Sequence, residues 1–173
     1  MVSRGRRLLV TAPAFSDENR ATKVQAPPME ELTRAEIDGF LDQQIFGRMG
    51  CHDAGVTYVV PLIYARDGDA LYIFATEGQK TQFARRNPAV CFELDEHDPA
   101  TRSWRSVLVQ GRYEELDEAG AALARAAFGR RFGARTRATS DAKPDLKAEV
   151  RPTVTFRIRI ETVTGRAVRA PQP

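Results

Sequence analysis

The chain has 173 residues, 42% of them hydrophobic and 28% charged, with a net charge of +3 and a pI near 9.1. That length suits one compact domain, and the composition excludes wholesale disorder and fibrous repeats. The basic excess comes from arginines scattered along the whole chain, beside only Lys23, Lys80, Lys143 and Lys147, so a concentrated nucleic-acid stripe is not expected.

Residues 1–30 are polar and proline-containing, with no sustained periodicity, and are expected to form an extended or disordered arm ahead of one domain spanning 31–173. The arginines and short apolar run near the N-terminus are interrupted at Pro13, which argues against an export signal or a membrane span. Two cysteines, Cys51 and Cys91, cannot build a disulfide framework, so a reducing cytoplasm is the expected location.

From Leu32 to Phe46 the pattern predicts a helix: Thr33 is a suitable N-cap, Glu36 completes a capping box, and Ile37, Phe40, Leu41 and Ile45 share one face. Strands are expected over Arg48–His52 and Val56–Ala65, joined by a turn at Asp53-Ala54-Gly55. The second run is apolar on both faces, which predicts a central strand covered by core on one side and by a partner or ligand on the other. Pro61 cannot donate to a ladder, so it marks an edge, a bulge or a place where something other than a strand lies alongside.

Asp67-Gly68 predicts a hairpin turn with a return strand over Ala70–Ala75, and a short helix then ends near Asn87-Pro88. Strands are expected over Ala89–Leu94 and Trp104–Tyr113, separated by a polar loop from Asp95 to Arg102. A helix capped by Asp117 runs to Phe132, followed by a mobile loop over 133–149. Val154–Ile160 alternates as a last strand with one core face. The pattern predicts a mainly β fold, a six-stranded antiparallel split β-barrel with a few short helices.

The stretch Thr76 to Lys80 holds the most chemistry. A strand ends, Gly78 permits close approach, a helix begins, and a hydroxyl and an ammonium stand at the junction, all of which suit a phosphate. The same residues have a plain structural reading, because Thr76-x-x-Gln79 is itself a capping-box pattern and Lys80 could be a solvated charge. His52 and His97 lack ligand-spaced partners, so no metal is expected. Cys51 and Cys91 fall in strand patterns as small buried hydrophobes, with Cys51 beside His52 leaving a reactive thiol open. Arg85 and Arg86 read as a solvated helix end or as a supplement to Lys80.

Val59-Val60-Pro61, Glu77-Gly78-Gln79-Lys80, Arg85-Arg86-Asn87-Pro88 and Trp104-Arg105-Ser106-Val107, in that order, resemble the pyridoxamine 5'-phosphate oxidase-like flavin-binding split-barrel superfamily. Within it the chain is most similar to the branch of nitroimidazole-resistance and flavin-nucleotide-binding proteins. The resemblance covers about Leu32 to Leu116 and returns at Phe156 to Arg166. It implies a homodimer with FMN at the subunit interface. Val60, Pro61, Leu62 and Ile63 would line the flavin ring. Thr76, Gln79 and Lys80 would hold the phosphate, Ser106 would reach the flavin from a neighbouring strand, and Trp104 would close the pocket or serve as an ordinary core or interface aromatic.

The chain departs from the family in two respects. Phe74, which the resemblance also places among the cofactor-binding residues, stands where relatives often carry a histidine shortly before the Glu-Gly pair, so chemistry tied to that histidine does not transfer. The C-terminal residues that grip the pyridoxal ring in vitamin B6 oxidases are not recognisable. The expected activity is therefore hydride or electron transfer between a reduced nicotinamide, or another donor, and a small organic acceptor such as a nitro-aromatic, without nucleic acid or membrane. A flavin carrier without turnover is the alternative, because no catalytic acid or base is evident.

Overall fold

The computed structural model describes residues 28–136 and 153–170. The arm expected over 1–30 lies almost wholly outside the described residues, as does most of the loop expected over 133–149. Residues 133–136 are instead the last turn of a helix.

Helix α1 (Arg34–Gln43) begins as the sequence predicts: Thr33 accepts the Glu36 N–H, and Glu36 accepts the Thr33 N–H at 2.8 Å. Ile37, Phe40 and Leu41 are buried, whereas Ile45 lies beyond the helix. Strand β1 (Glu30–Glu31) precedes it. Strands β2 (Phe46–Asp53) and β3 (Val56–Ile63) form a hairpin whose turn places Ala54 at φ 47° and Gly55 at φ 80°, left-handed backbone that glycine adopts freely. Strands β4 (Ala65–Asp67) and β5 (Ala70–Thr76) turn at Gly68, helix α2 (Gln79–Arg86) follows, and β6 (Ala89–Asp98) and β7 (Ser103–Glu115) form the longest hairpin. The polar stretch expected as a loop is strand as far as Asp98, which pairs with Ser103. Helix α3 (Glu118–Thr136) is capped by Asp117, which accepts the Gly120 N–H at 2.8 Å, and β8 (Thr153–Val168) closes the described chain.

Among the described residues the strands form one antiparallel sheet of eight, in the order β3-β2-β6-β7-β8-β5-β4, with β1 added to β8. Eight replace the six expected, because β1 and β4 are too short to stand out in the sequence and β8 runs on past Ile160. Strands β3 and β4 sit at opposite ends of this order, yet only Tyr64 separates them along the chain. The sheet must therefore curl until its ends meet, and β3 does contact β5. The result is a split barrel. Its interior holds Met49, Leu71, Ile73, Phe92, Val107, Val109, Phe156 and Ile158, all fully buried. Tyr64 ties the junction: its hydroxyl donates to the Leu41 carbonyl at 2.6 Å, and its ring meets Phe92 edge-on at 5.3 Å. Outside the barrel, α3 lays Ala124 and Ala127, small side chains that allow close packing, against Ala70 and Tyr72.

The α1 entry is clasped to the end of β8. Arg169 donates to Glu30 at 2.7 Å and to Glu36 at 2.8 Å, and this bond, then the Thr33 cap, lowers the Glu36 carboxyl to about 2. A carboxyl titrating lower in the fold than in the unfolded chain adds stability that is present above its unfolded value and is lost on acidification. Urea unfolding midpoints should therefore fall between about pH 4.5 and 2, and Glu36→Gln should flatten that slope.

Candidate functional site

The corner between β5 and α2 is assembled by short-range bonds. The ladder of α2 begins with Gln82 N–H to Gly78 O at 3.1 Å, so the amides of Gln79, Lys80 and Thr81 precede it and have no acceptor within the helix. Gly78 is the N-cap in extended backbone, and its N–H is taken by Thr81 Oγ1 at 3.1 Å. The Thr76/Gln79 capping box read from the sequence does not form: Gly78 is the N-cap, and with no side chain it makes only half of a box, its N–H to Thr81 Oγ1. The hydroxyl of Thr81, fully buried, lies 2.8 Å from Glu77 Oε1 and 2.7 Å from Gly78 O.

Lys80 is 9% exposed, and its Nζ donates to the Thr76 carbonyl at 2.6 Å. Among the described residues it forms no ion pair with a carboxylate. Burial lowers its pKa, partly offset by the field of Glu77. A Cβ added at Gly78 would stand 4.0 Å from Lys80 Nζ and meet no closer atom outside the adjoining residues, so the glycine leaves open space above the ammonium. A mostly buried ammonium with no carboxylate in ion-pair contact, in the first turn of a helix whose leading amides have no intrahelical acceptor, fits an anion such as a phosphate monoester. Thr76 and Gln79 are exposed at its rim.

Strand β3 lies beside this corner, with Tyr58 meeting Phe83 of α2 edge-on at 6.3 Å. It is the terminal strand of the sheet order and not the central one expected, so Pro61 sits where no further strand needs its missing N–H. The pleat divides the predicted ring-lining residues: Leu62 is buried in the core and Val60 packs against it, while Pro61 and Ile63 face outward. Val59, Ile63 and Phe46, which pairs with Ile63, are all about half exposed on that outer face. A 450 Å³ apolar groove continues it from Ile63 to Phe128 and Phe132 of α3. Phe74 packs edge-on against Phe128 at 4.9 Å under α3.

Trp104 and Ser106 lie elsewhere. Thr76 pairs with Thr153 and Trp104 with Val168, the two ends of the 16-residue β8. Half-buried Trp104 separates a groove of 540 Å³ beside α1 from one of 610 Å³ that Ser106 also lines. Ser106 donates to Glu93 at 3.2 Å, and Glu93 is also held by Arg48.

Sequence reasoning missed the residues that brace the corner. Arg85 spans Glu77 and Glu115, and Arg86 pairs with Asp53, so neither is a merely solvated helix end. The four-residue spacing of Glu77, Thr81 and Arg85, which carries the helical period one step ahead of the N-cap, is the signal that could have found the Glu77–Arg85 pair. Among the described residues no three of His, Cys, Asp and Glu are grouped to hold a metal, and no helix is long and apolar enough to cross a membrane.

The sheet order and its closure define a split-barrel protein. The family model of pyridoxamine 5'-phosphate oxidase matches residues 33–167, and the chain belongs to that family. A FAD-binding protein from Mesorhizobium loti is similar to it at 36% identity and TM-score 0.65, over 82% of this chain and 99% of that one. The FAD-binding protein of Mycobacterium smegmatis shares the fold at 22% identity and TM-score 0.58, covering 81% and 100%. A candidate 5-nitroimidazole antibiotic resistance protein from Bacteroides thetaiotaomicron shares it at 21% and 0.63, covering 83% and 89%. An uncharacterised protein of Rhizobium meliloti (strain 1021) is 38% identical over 85 residues, which take in 49% of this chain and 56% of that protein, so the match spans little more than half of the curated relative.

Proposed function

We propose that this protein binds a flavin nucleotide, FMN, as a homodimer, and uses it as an oxidoreductase that passes hydride or electrons from a reduced nicotinamide or another donor to a small organic acceptor. The observation that carries the reading is Lys80, a buried ammonium without a carboxylate partner at the mouth of α2 in a chain of this family. Lys80 and the Gln79, Lys80 and Thr81 amides would hold the phosphate, with Thr76 at the rim. Pro61 and Ile63 would form the apolar wall for the ring. The flavin itself supplies the redox chemistry, so the protein has to grip, orient and exclude water.

The split among the site residues supports the two-copy arrangement. Strand β7 lies three strand spacings from β3 in the sheet order, about 14 Å along the sheet. A ring lying on Pro61 would therefore meet Ser106 and Trp104 from a second copy. The exposed Phe46, Val59 and Ile63 give that second copy an apolar surface to cover.

The purified protein should show the visible absorption of a bound flavin, released on heating, and addition of NADH or NADPH should bleach it. Stable colour without bleaching would leave binding but remove the reduced nicotinamide as donor; a colourless protein that takes up no FMN would remove both. Ile63→Lys should turn a dimer into a monomer by light scattering and reduce flavin retention with it, and a dimer unaltered by this change would contradict the interface placed here.

A further inference from the structure

Glu77 presents a puzzle, because a carboxylate beside a site for an anion has the wrong sign. Its surroundings show what holds it there. Arg85 grips it with two parallel bonds, Nη1 to Oε1 and Nη2 to Oε2, both 2.8 Å, and Thr81 Oγ1 approaches Oε1 at 2.8 Å. The Nε of Arg85 donates to Glu115 Oε1 at 2.6 Å, and that oxygen also accepts the hydroxyl of Tyr113 at 2.5 Å. Tyr113 is a buried residue of β7. The residue before the N-cap is thereby strapped, through the last turn of α2, to the barrel wall. The bond with Arg85, then that with Thr81, lowers the Glu77 pKa, and both carboxylate bonds raise that of Arg85. The fork of Arg85 is spent on two carboxylates, in the bidentate geometry that a guanidinium forms best.

We infer that Glu77 and Arg85 are positioning residues: they fix the Glu77-Gly78 turn so that the amides of Gln79, Lys80 and Thr81 converge with Lys80 Nζ, and Arg85 acts through Glu77 and not on the anion. This rests on the flavin-phosphate reading of the corner. It reverses the sign that charge alone would give. Removing a negative charge beside a bound phosphate should tighten binding by Coulomb's law; if Glu77 is an orienting strut, removing it weakens binding.

The test titrates FMN and riboflavin, which lacks the phosphate, against flavin-free wild-type protein, Glu77→Gln and Glu77→Gln/Arg85→Leu, following fluorescence quenching. Glu77→Gln should weaken FMN about tenfold, the usual scale for losing a support behind a ligand shell, and leave riboflavin unchanged. The double variant should bind FMN no more weakly than the single, since Arg85 has nothing further to contribute. Amide exchange of Gly78 in the flavin-free protein should accelerate in Glu77→Gln while the sheet amides stay protected, a readout that needs no flavin. Unchanged or tighter FMN binding by Glu77→Gln, or a parallel loss of riboflavin, overturns the positioning role. A further loss in the double variant would make Arg85 a direct ligand. A wild type with no preference for FMN over riboflavin sinks the phosphate reading instead, and Gly78 exchange then still reports whether the strap orders the turn.

Discussion

Lys80→Met is expected to leave the barrel folded and to weaken FMN by about 10- to 100-fold, the effect of losing one charge-assisted hydrogen bond to a phosphate, roughly 1.5–3 kcal/mol. Thermal melts with and without excess FMN check it: the wild type should gain stability from the ligand by mass action, and the variant should gain much less at the same concentration. The flavin-free variant should melt no lower than the wild type, because methionine fills the space of the lysine stem and removes a buried charge that has no carboxylate partner. The pH dependence has a definite sign. Folded Lys80 titrates below its ordinary value because it is buried, so between its folded and unfolded values the unfolded chain holds more protons. Stability of the flavin-free protein should rise with pH across that alkaline window, and the rise should vanish in Lys80→Met. FMN affinity should fall across the same window, since the neutral amine no longer attracts the phosphate. A Lys80→Met protein that retains FMN as the wild type does would remove the phosphate assignment while leaving the fold untouched.

Phe92→Ala should cost about 3–5 kcal/mol, the range for deleting a fully buried phenylalanine whose neighbours cannot collapse into the gap. Phe92 is fully buried and meets the ring of Tyr64, the residue that joins the two ends of the sheet. Its ring also fills the space over Gly47, where an added Cβ would fall 2.3 Å from Phe92 Cε1. In a chain of this size that loss corresponds to a fall of about 6–20 °C in Tm, measured at fixed protein concentration. A fall of only a degree or two would mean that the junction is held elsewhere, for instance by the Tyr64 hydroxyl on Leu41. Gly47→Ala should also destabilise, because its Cβ would meet the Glu93 carbonyl at 2.7 Å as well as the ring.

The sequence by itself determined what depends on neighbours a few residues apart. The Thr33/Glu36 box, the turns at Gly55 and Gly68, the Asp117 cap and the stop at Asn87-Pro88 are all short-range chemistry, and each forms as the residues dictate. The mainly β antiparallel fold was legible for the same reason. The tertiary structure decided whatever needed partners distant in the chain. Apolarity on both faces predicted a central strand for Val56–Ala65, yet the sheet order makes β3 terminal, because an exposed apolar face reads in the sequence like one covered by core. The strap from Glu77 through Arg85 to Glu115 spans 30 residues between its last two members and could not be read from either end alone. The resemblance put Ser106 and Trp104 at the same flavin as Pro61, and it is the sheet order that sets β7 three strands from β3 within one chain. Cap and turn energies are set by adjacent dihedrals and hydrogen bonds, whereas strand order and side-chain bracing are fixed only when the barrel closes and distant segments share one interior.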